Sequence, residues 1–169
     1  MKETFAVFNQ MVADSAIENY ALAGAVGAMF YVEPFSTRDI DVLVVVPETE
    51  GKLIAELSGW QYLRSRGYSE IRDEGIVIEG WPVQFLPVSN ALEHEAYLNA
   101  GDQNLDDVIV RVVQPEHLVA IMVPVGRLKD FARVQMFLSE DVINLDVLKE
   151  ILERHQLTEK WDDFRNRFL

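Results

Sequence analysis

Two acids separated by one apolar residue, Asp39 and Asp41, lead into the run Val42-Leu43-Val44-Val45-Val46. A stretch so rich in β-branched residues marks a strand. Side chains alternate faces along a strand, so the two carboxylates point the same way, roughly 7 Å apart. Like charges in that arrangement repel unless a cation lies between them, and hard divalent ions such as Mg²⁺ take oxygen ligands of this kind. Upstream, Leu22-Ala23-Gly24-Ala25-Val26-Gly27 supplies glycine for a tight turn into a helix, and a helix N-terminus receives phosphate. A phosphate cradle beside a carboxylate pair points to nucleotide chemistry. Asp-x-Asp also arises by chance, and acids at strand starts are common. The buried strand that follows, and the strand–glycine–helix unit before it, set this pair apart, because buried acids are costly without compensation.

The elements that must position these residues are legible from periodicity. Phe5, Phe8, Val12 and Ile17 recur at helical spacing within residues 2–19. Tyr20–Ala23 reads as a short strand ending at Gly24, and Ala25–Val32 as a helix closed by Glu33-Pro34. Asp39–Val46 is a strand stopped by Pro47, and Gly51–Gly67 an amphipathic helix through Leu53, Ile54, Leu57, Trp60 and Leu63. Gly75–Glu79 and Trp81–Leu86 form a hairpin around Gly80. Ser89 or Asn90 caps a helix over Ala91–Ala100, and Val108–Val113 is a strand ended by Pro115. The remainder is helical in pattern: Glu116–Val123, Arg127–Leu138, Leu145–His155 and Glu159–Phe168. The expected class is α/β, a mixed sheet flanked by helices. Its core spans residues 1–113, and a helical C-terminal portion, 114–169, packs on it.

Composition narrows the partners. The 169 residues fit one domain, and with 49% hydrophobic residues a core is available. No apolar run is long enough to span a bilayer and Met-Lys-Glu-Thr-Phe does not begin a secretory signal, so a soluble cytoplasmic protein is expected. The absence of cysteine excludes disulfides and thiolate metal sites. A formal charge of −13 disfavours bulk nucleic acid, which is bound mainly by phosphate neutralisation. A small nucleotide held by metal, or a protein with a basic face, suits this charge better.

The glycine turn, the helix and the Asp-x-Asp strand together resemble the nucleotidyltransferase superfamily of polymerase-β-like fold. Thr37-Arg38-Asp39-Ile40-Asp41 looks especially like its abortive-infection toxin branch. Pro115-Glu116-His117-Leu118 and Gly126-Arg127-Leu128-Lys129-Asp130, with Arg133, look like the helical motif of that branch. The resemblance spans about residues 20–138. It implies a Mg²⁺–nucleoside triphosphate as substrate and nucleotidyl transfer to a hydroxyl on a protein, RNA or small molecule. Asp39 and Asp41 would ligate Mg²⁺. The backbone at Gly24 and Ala25 would cradle phosphate, with Thr37 and Arg133 on the nucleotide-binding side, while Lys129, one helical turn from Arg133, would supply counter-charge. A solvated helix face with ordinary i,i+3 and i,i+4 pairs is the plain alternative for Arg127, Lys129, Asp130 and Arg133.

Two departures stand out. Ala25 stands where the resemblance leads to Ser or a second Gly after Gly24, so a hydroxyl that would contact phosphate is missing, and Gln84 stands where a third acid would fall in Trp81-Pro82-Val83-Gln84-Phe85-Leu86. A glutamine oxygen coordinates metal weakly and cannot accept a proton from a hydroxyl. The alternative function is therefore a catalytically degenerate binding or regulatory module, including a toxin–antitoxin component acting by protein contact. Glu79, on the preceding strand, is a candidate substitute acid through the hairpin. His94, His117 and His155 lack ligand spacing and read as structural. Asp102, Asp106 and Asp107 read as a loop leading into a strand, without the ligand pattern of an EF-hand. Trp161, Phe164 and Phe168 read as a packing face.

Overall fold

The computed structural model describes residues 1–45 and 58–168. Its elements run α1 (Lys2–Ala13), β1 (Ala21–Leu22), α2 (Gly24–Ala28), β2 (Ile40–Val44), α3 (Ser58–Ser65), β3 (Ile71–Arg72), β4 (Gly75–Ile78), β5 (Trp81–Pro87), α4 (Ala91–Leu98), β6 (Gly101–Leu105), β7 (Val108–Val112), α5 (Pro115–Val125), α6 (Leu128–Ser139), α7 (Leu145–Arg154) and α8 (Thr158–Phe168). Among the described residues, seven strands form one mixed sheet ordered β3-β4-β5-β2-β1-β7-β6. β2 runs antiparallel to β1 and parallel to β5, while β1 runs parallel to β7. The fold is the expected mixed α/β sheet with a helical C-terminus. The first part of the helix expected over Gly51–Gly67, with Leu53, Ile54 and Leu57, lies outside the described residues; Trp60 and Leu63 fall in α3.

Strand alternation divides the core. Ile40, Val42 and Val44 join Phe5, Phe8, Tyr20 and Val83 on the α1 side, where Phe8 makes edge contacts with Tyr20 at 5.4 Å and Phe85 at 5.9 Å. Leu43 faces the other way, into a cluster with Val119 of α5, Phe137 of α6 and Leu148 of α7. Asp39 and Asp41 share the parity of Leu43, so alternation alone turns them toward the C-terminal helices. Burial of such apolar side chains, about 1.5–3 kcal/mol each, drives the packing.

Local chemistry sets several boundaries. Asn90 caps α4, its Oδ1 accepting from the Glu93 amide at 2.9 Å, and the Glu93 carboxylate accepts in turn from the Ser89 amide at 2.8 Å. α5 ends at Gly126, whose φ of +68° closes the helix in the left-handed region. Two strands escaped the periodicity. β6 carries Gly-Asp-Gln-Asn-Leu on an exposed edge, and β3 is a two-residue edge strand with both residues exposed. Asp102 therefore lies in a strand, not a loop. α1 also stops earlier than the helical spacing suggests, at Ala13, with Ser15 at φ 56° breaking the path to Ile17. No helix among the described residues is long and apolar enough to cross a membrane.

One ionic node ties three helices. Glu95 of α4 receives Arg154 at 2.7 and 3.0 Å, and contacts His117 of α5 at 3.1 Å and His155 at 2.7 Å. The Arg154 hydrogen bonds, with the two imidazoles, hold the Glu95 carboxyl down at about 2 against an ordinary 4.5. A depressed carboxylate contributes stability above its unfolded pKa, and loses it as pH falls toward the folded value. Glu95→Gln is expected to cost about 2–3 kcal/mol at pH 7. It should also flatten the decline in stability that the unaltered chain shows between pH 4.5 and 2, measured by urea unfolding across pH.

Candidate functional site

The geometry at the β1–α2 turn is set by Gly24. Its φ is +55°, and a Cβ there would fall 1.9 Å from Asp41 Oδ2. The Asp41 carboxylate therefore lies directly against the Gly24 Cα, a place that only a residue without a side chain leaves open. The Ala23 amide bonds to the Asp41 carbonyl at 2.9 Å, locking this turn to β2. The Gly27 amide closes the first bond of α2 onto the Ala23 carbonyl at 2.9 Å. The amides ahead of it, including those of Gly24 and Ala25, have no acceptor within the helix.

Parallel pairing of β2 with β5 sets Gln84 beside Asp41. Gln84 Nε2 donates to Asp39 Oδ2 at 3.3 Å and to the Asp73 carbonyl at 2.9 Å. Two acceptors on one nitrogen define the amide's orientation, so glutamine shows a donor, not an oxygen ligand, to the acid pair. Thr37 Oγ1 donates to Asp39 Oδ1 at 3.2 Å from the other flank. Glu79 sits at the β4–β5 turn with φ +50°, accepting from the Tyr68 hydroxyl at 2.5 Å. It lies beyond the start of β5, roughly 15 Å along the strand direction from Gln84, so it does not replace the missing acid.

The first turns of α6 provide opposite charge. Asp130 is 1% exposed and accepts Arg127 Nε at 2.7 Å and Nη2 at 3.0 Å, with Arg133 Nη1 at 3.6 Å. Arg133 is itself largely covered, with the Phe35 ring 5.0 Å from its guanidinium carbon. Burial lowers the Arg133 pKa, partly offset by Asp130, while the bond to Asp130 raises that of Arg127. Burial first, and the Asp39 charge second, raise the Asp41 pKa; Arg127, Arg133 and Lys129 oppose the rise. The structure thus brings Gly24, Thr37, Asp39, Asp41, Gln84, Lys129 and Arg133 to one locus. Asp130 belongs there too, as a buried part of the wall, and Arg127 reaches it from an exposed position, so Arg127 and Lys129 do lie on a solvated face while Asp130 and the largely covered Arg133 do not. The Arg127-x-x-Asp130-x-x-Arg133 spacing carried that signal, because i,i+3 steps set one acid between two arginines.

Two carboxylates such as those of Asp39 and Asp41 are oxygen donors of the kind a hard divalent cation takes. Among the described residues no third His, Cys, Asp or Glu joins them in a metal-holding group.

No protein-family model matches this chain and no curated protein does. Among solved structures, an antigenic nucleotidyltransferase-like protein from Paracoccidioides brasiliensis is similar, with a TM-score of 0.54 and 16% identity over 82% of this chain and 75% of that one. At this identity the likeness is one of fold. The chain has the mixed α/β architecture of nucleotidyltransferase-like proteins.

Two substitutions probe the pair without any ligand. Gly24→Ala combines a positive φ with a clash, and is expected to cost about 1–3 kcal/mol by chemical denaturation. Asp41→Asn should raise the melting midpoint of the metal-free protein at pH 7. A carboxyl raised in the folded state weakens stability as pH climbs through its folded pKa, so the gain should vanish below pH 3.8, where the group is protonated in both states.

Proposed function

We propose that this chain is a nucleotidyltransferase that binds a Mg²⁺–nucleoside triphosphate and transfers its nucleotidyl group to a hydroxyl acceptor. The observation that carries the reading is Asp41 held against the Gly24 turn, with Asp39 on the same strand face and Arg127, Lys129 and Arg133 bearing on the Asp41 charge. Asp39 and Asp41 would hold the metal, which when bound neutralises triphosphate charge and orients it for in-line attack. The Gly24–Ala25 amides and Thr37 would bind phosphate oxygens. Lys129, exposed and without an ion-pair partner among the described residues, would meet the charge that grows on the departing pyrophosphate. Arg127 and Arg133, oriented by Asp130, would hold the phosphates in register.

A second reading is favoured by one contact. Gln84 donates to Asp39 where a catalytic acid would stand, and it accepts no proton from an acceptor hydroxyl. Binding without turnover follows if that loss is decisive.

Calorimetric melting with each Mg²⁺–nucleoside triphosphate tests both readings at once, and an assay of nucleotide transfer separates them. At a ligand concentration near 100 Kd a rise of about 5–10 °C is expected, abolished by Asp39→Asn with Asp41→Asn. Transfer of labelled nucleotide to protein or RNA should accompany it, and Gln84→Asp should accelerate transfer by about tenfold or more. A shift without transfer, restored to transfer by Gln84→Asp, selects the binding module. Failure of all four nucleotides to bind overturns both.

A further inference from the structure

At the opposite end of β1 from Gly24 lies a cavity of about 580 Å³, between α1, the Asn19-Tyr20 segment and the β6–β7 edge. This is within the size range of small-ligand pockets. Asp102 of β6 and Arg111 of β7 are directly opposed across the antiparallel ladder, and both line it. Opposed charges of opposite sign ordinarily join across strands. Here they do not. Arg111 turns its Nη2 to the carbonyls of Tyr97 at 2.9 Å and Leu98 at 3.0 Å, at the end of α4. Its Nε is left buried and without an acceptor, and Asp102 is exposed with no ion-pair partner among the described residues. An unmet buried donor costs free energy until an acceptor reaches it.

The wall around this separated pair is preorganised. The Tyr20 hydroxyl, on a side chain 2% exposed, donates to Asn9 Oδ1 at 2.7 Å, and Asn9 Nδ2 donates to the Ile109 carbonyl at 2.8 Å. Asn19 Oδ1 accepts from the Tyr20 amide at 2.8 Å, leaving its side-chain NH₂ for a ligand. Ile109 is 56% exposed and gives the cavity an apolar side.

We propose that this cavity binds a zwitterion of the amino-acid class, its carboxylate against Arg111, its ammonium against Asp102 and its apolar side chain against Ile109. The arrangement holds fixed charges of both signs apart in one mostly polar cavity with an apolar side at Ile109, which favours one small molecule carrying both charges over a simple anion or cation. The site is independent of the Asp39–Asp41 locus.

The test uses the full chain, with L-leucine and the dipeptide Gly-Leu as two sizes of one chemistry, followed by amide chemical shifts and melting. Saturable perturbation of the Asn9, Asn19 and Tyr20 amides by one of them at up to about 10 mM is expected. For leucine, 4-methylpentanoate and 3-methylbutylamine, each lacking one charge, should bind at least about tenfold more weakly. Asp102→Asn, on an exposed edge, should weaken the zwitterion by about tenfold or more while leaving the circular dichroism unchanged. Asp39→Asn with Asp41→Asn should leave it intact. Absence of saturable perturbation by either zwitterion, equal binding by Asp102→Asn, or perturbations centred on Gly24 and Asp41 overturns the proposal.

Discussion

The site rests on holding two like charges on one strand face, partly out of water. Asp41 lies against the Cα of Gly24, and Asp39 is flanked by Thr37 and Gln84. Burial and the neighbouring Asp39 charge disfavour the ionised form of Asp41, and the fold must answer that repulsion. It does so from α6. Arg127, Lys129 and Arg133 bear on Asp41, and the fully covered Asp130 fixes the two arginines in place. A buried acid between two bases is stable only if each partner is satisfied, which explains why Asp130 also accepts the Arg127 amide at 3.3 Å.

This local field contrasts with the rest of the molecule. A chain with a formal charge of −13 repels polyanions at a distance. The arginines and lysine of α6 that bear on the acid pair depart locally from that overall charge. Gln84 changes the chemistry of that place without changing its shape. It occupies the β5 position opposite Asp41, but contributes a donor where an acid would contribute charge and basicity. The nucleotidyltransferase-like fold and the side chain at position 84 thus speak to different questions, since a fold hosts many activities and the side chains choose among them.

The same sheet separates its opportunities by end. β1 is two residues long, with Gly24 just beyond one end and Tyr20 just before the other. The acid pair gathers at the first, and the split Asp102–Arg111 pair opens a cavity at the second. At the first, a strand's alternation brings two like charges onto one face; at the second, capping of the α4 carbonyls draws Arg111 away from the opposite charge it could pair with.

Much of this was legible in the chain itself. Alternation placed Asp39 and Asp41 on one face, Gly24 marked the turn, and Val83-Gln84-Phe85 put the amide on the face of the acids. These are local consequences of backbone geometry, which each segment carries alone. Asn90 bounded its helix by short-range hydrogen bonding. The weak edges β3 and β6 were hidden because exposed short strands carry little apolar period, and their pairing energy comes from neighbours remote in sequence. The meeting of Glu95 with His117 and His155, the burial of Asp130, and the distance of Glu79 from Gln84 were settled only by tertiary packing. Charge, hydrogen bonding and desolvation act through space, so spacing along the chain identified which residues could do chemistry, and the folded sheet decided which of them meet.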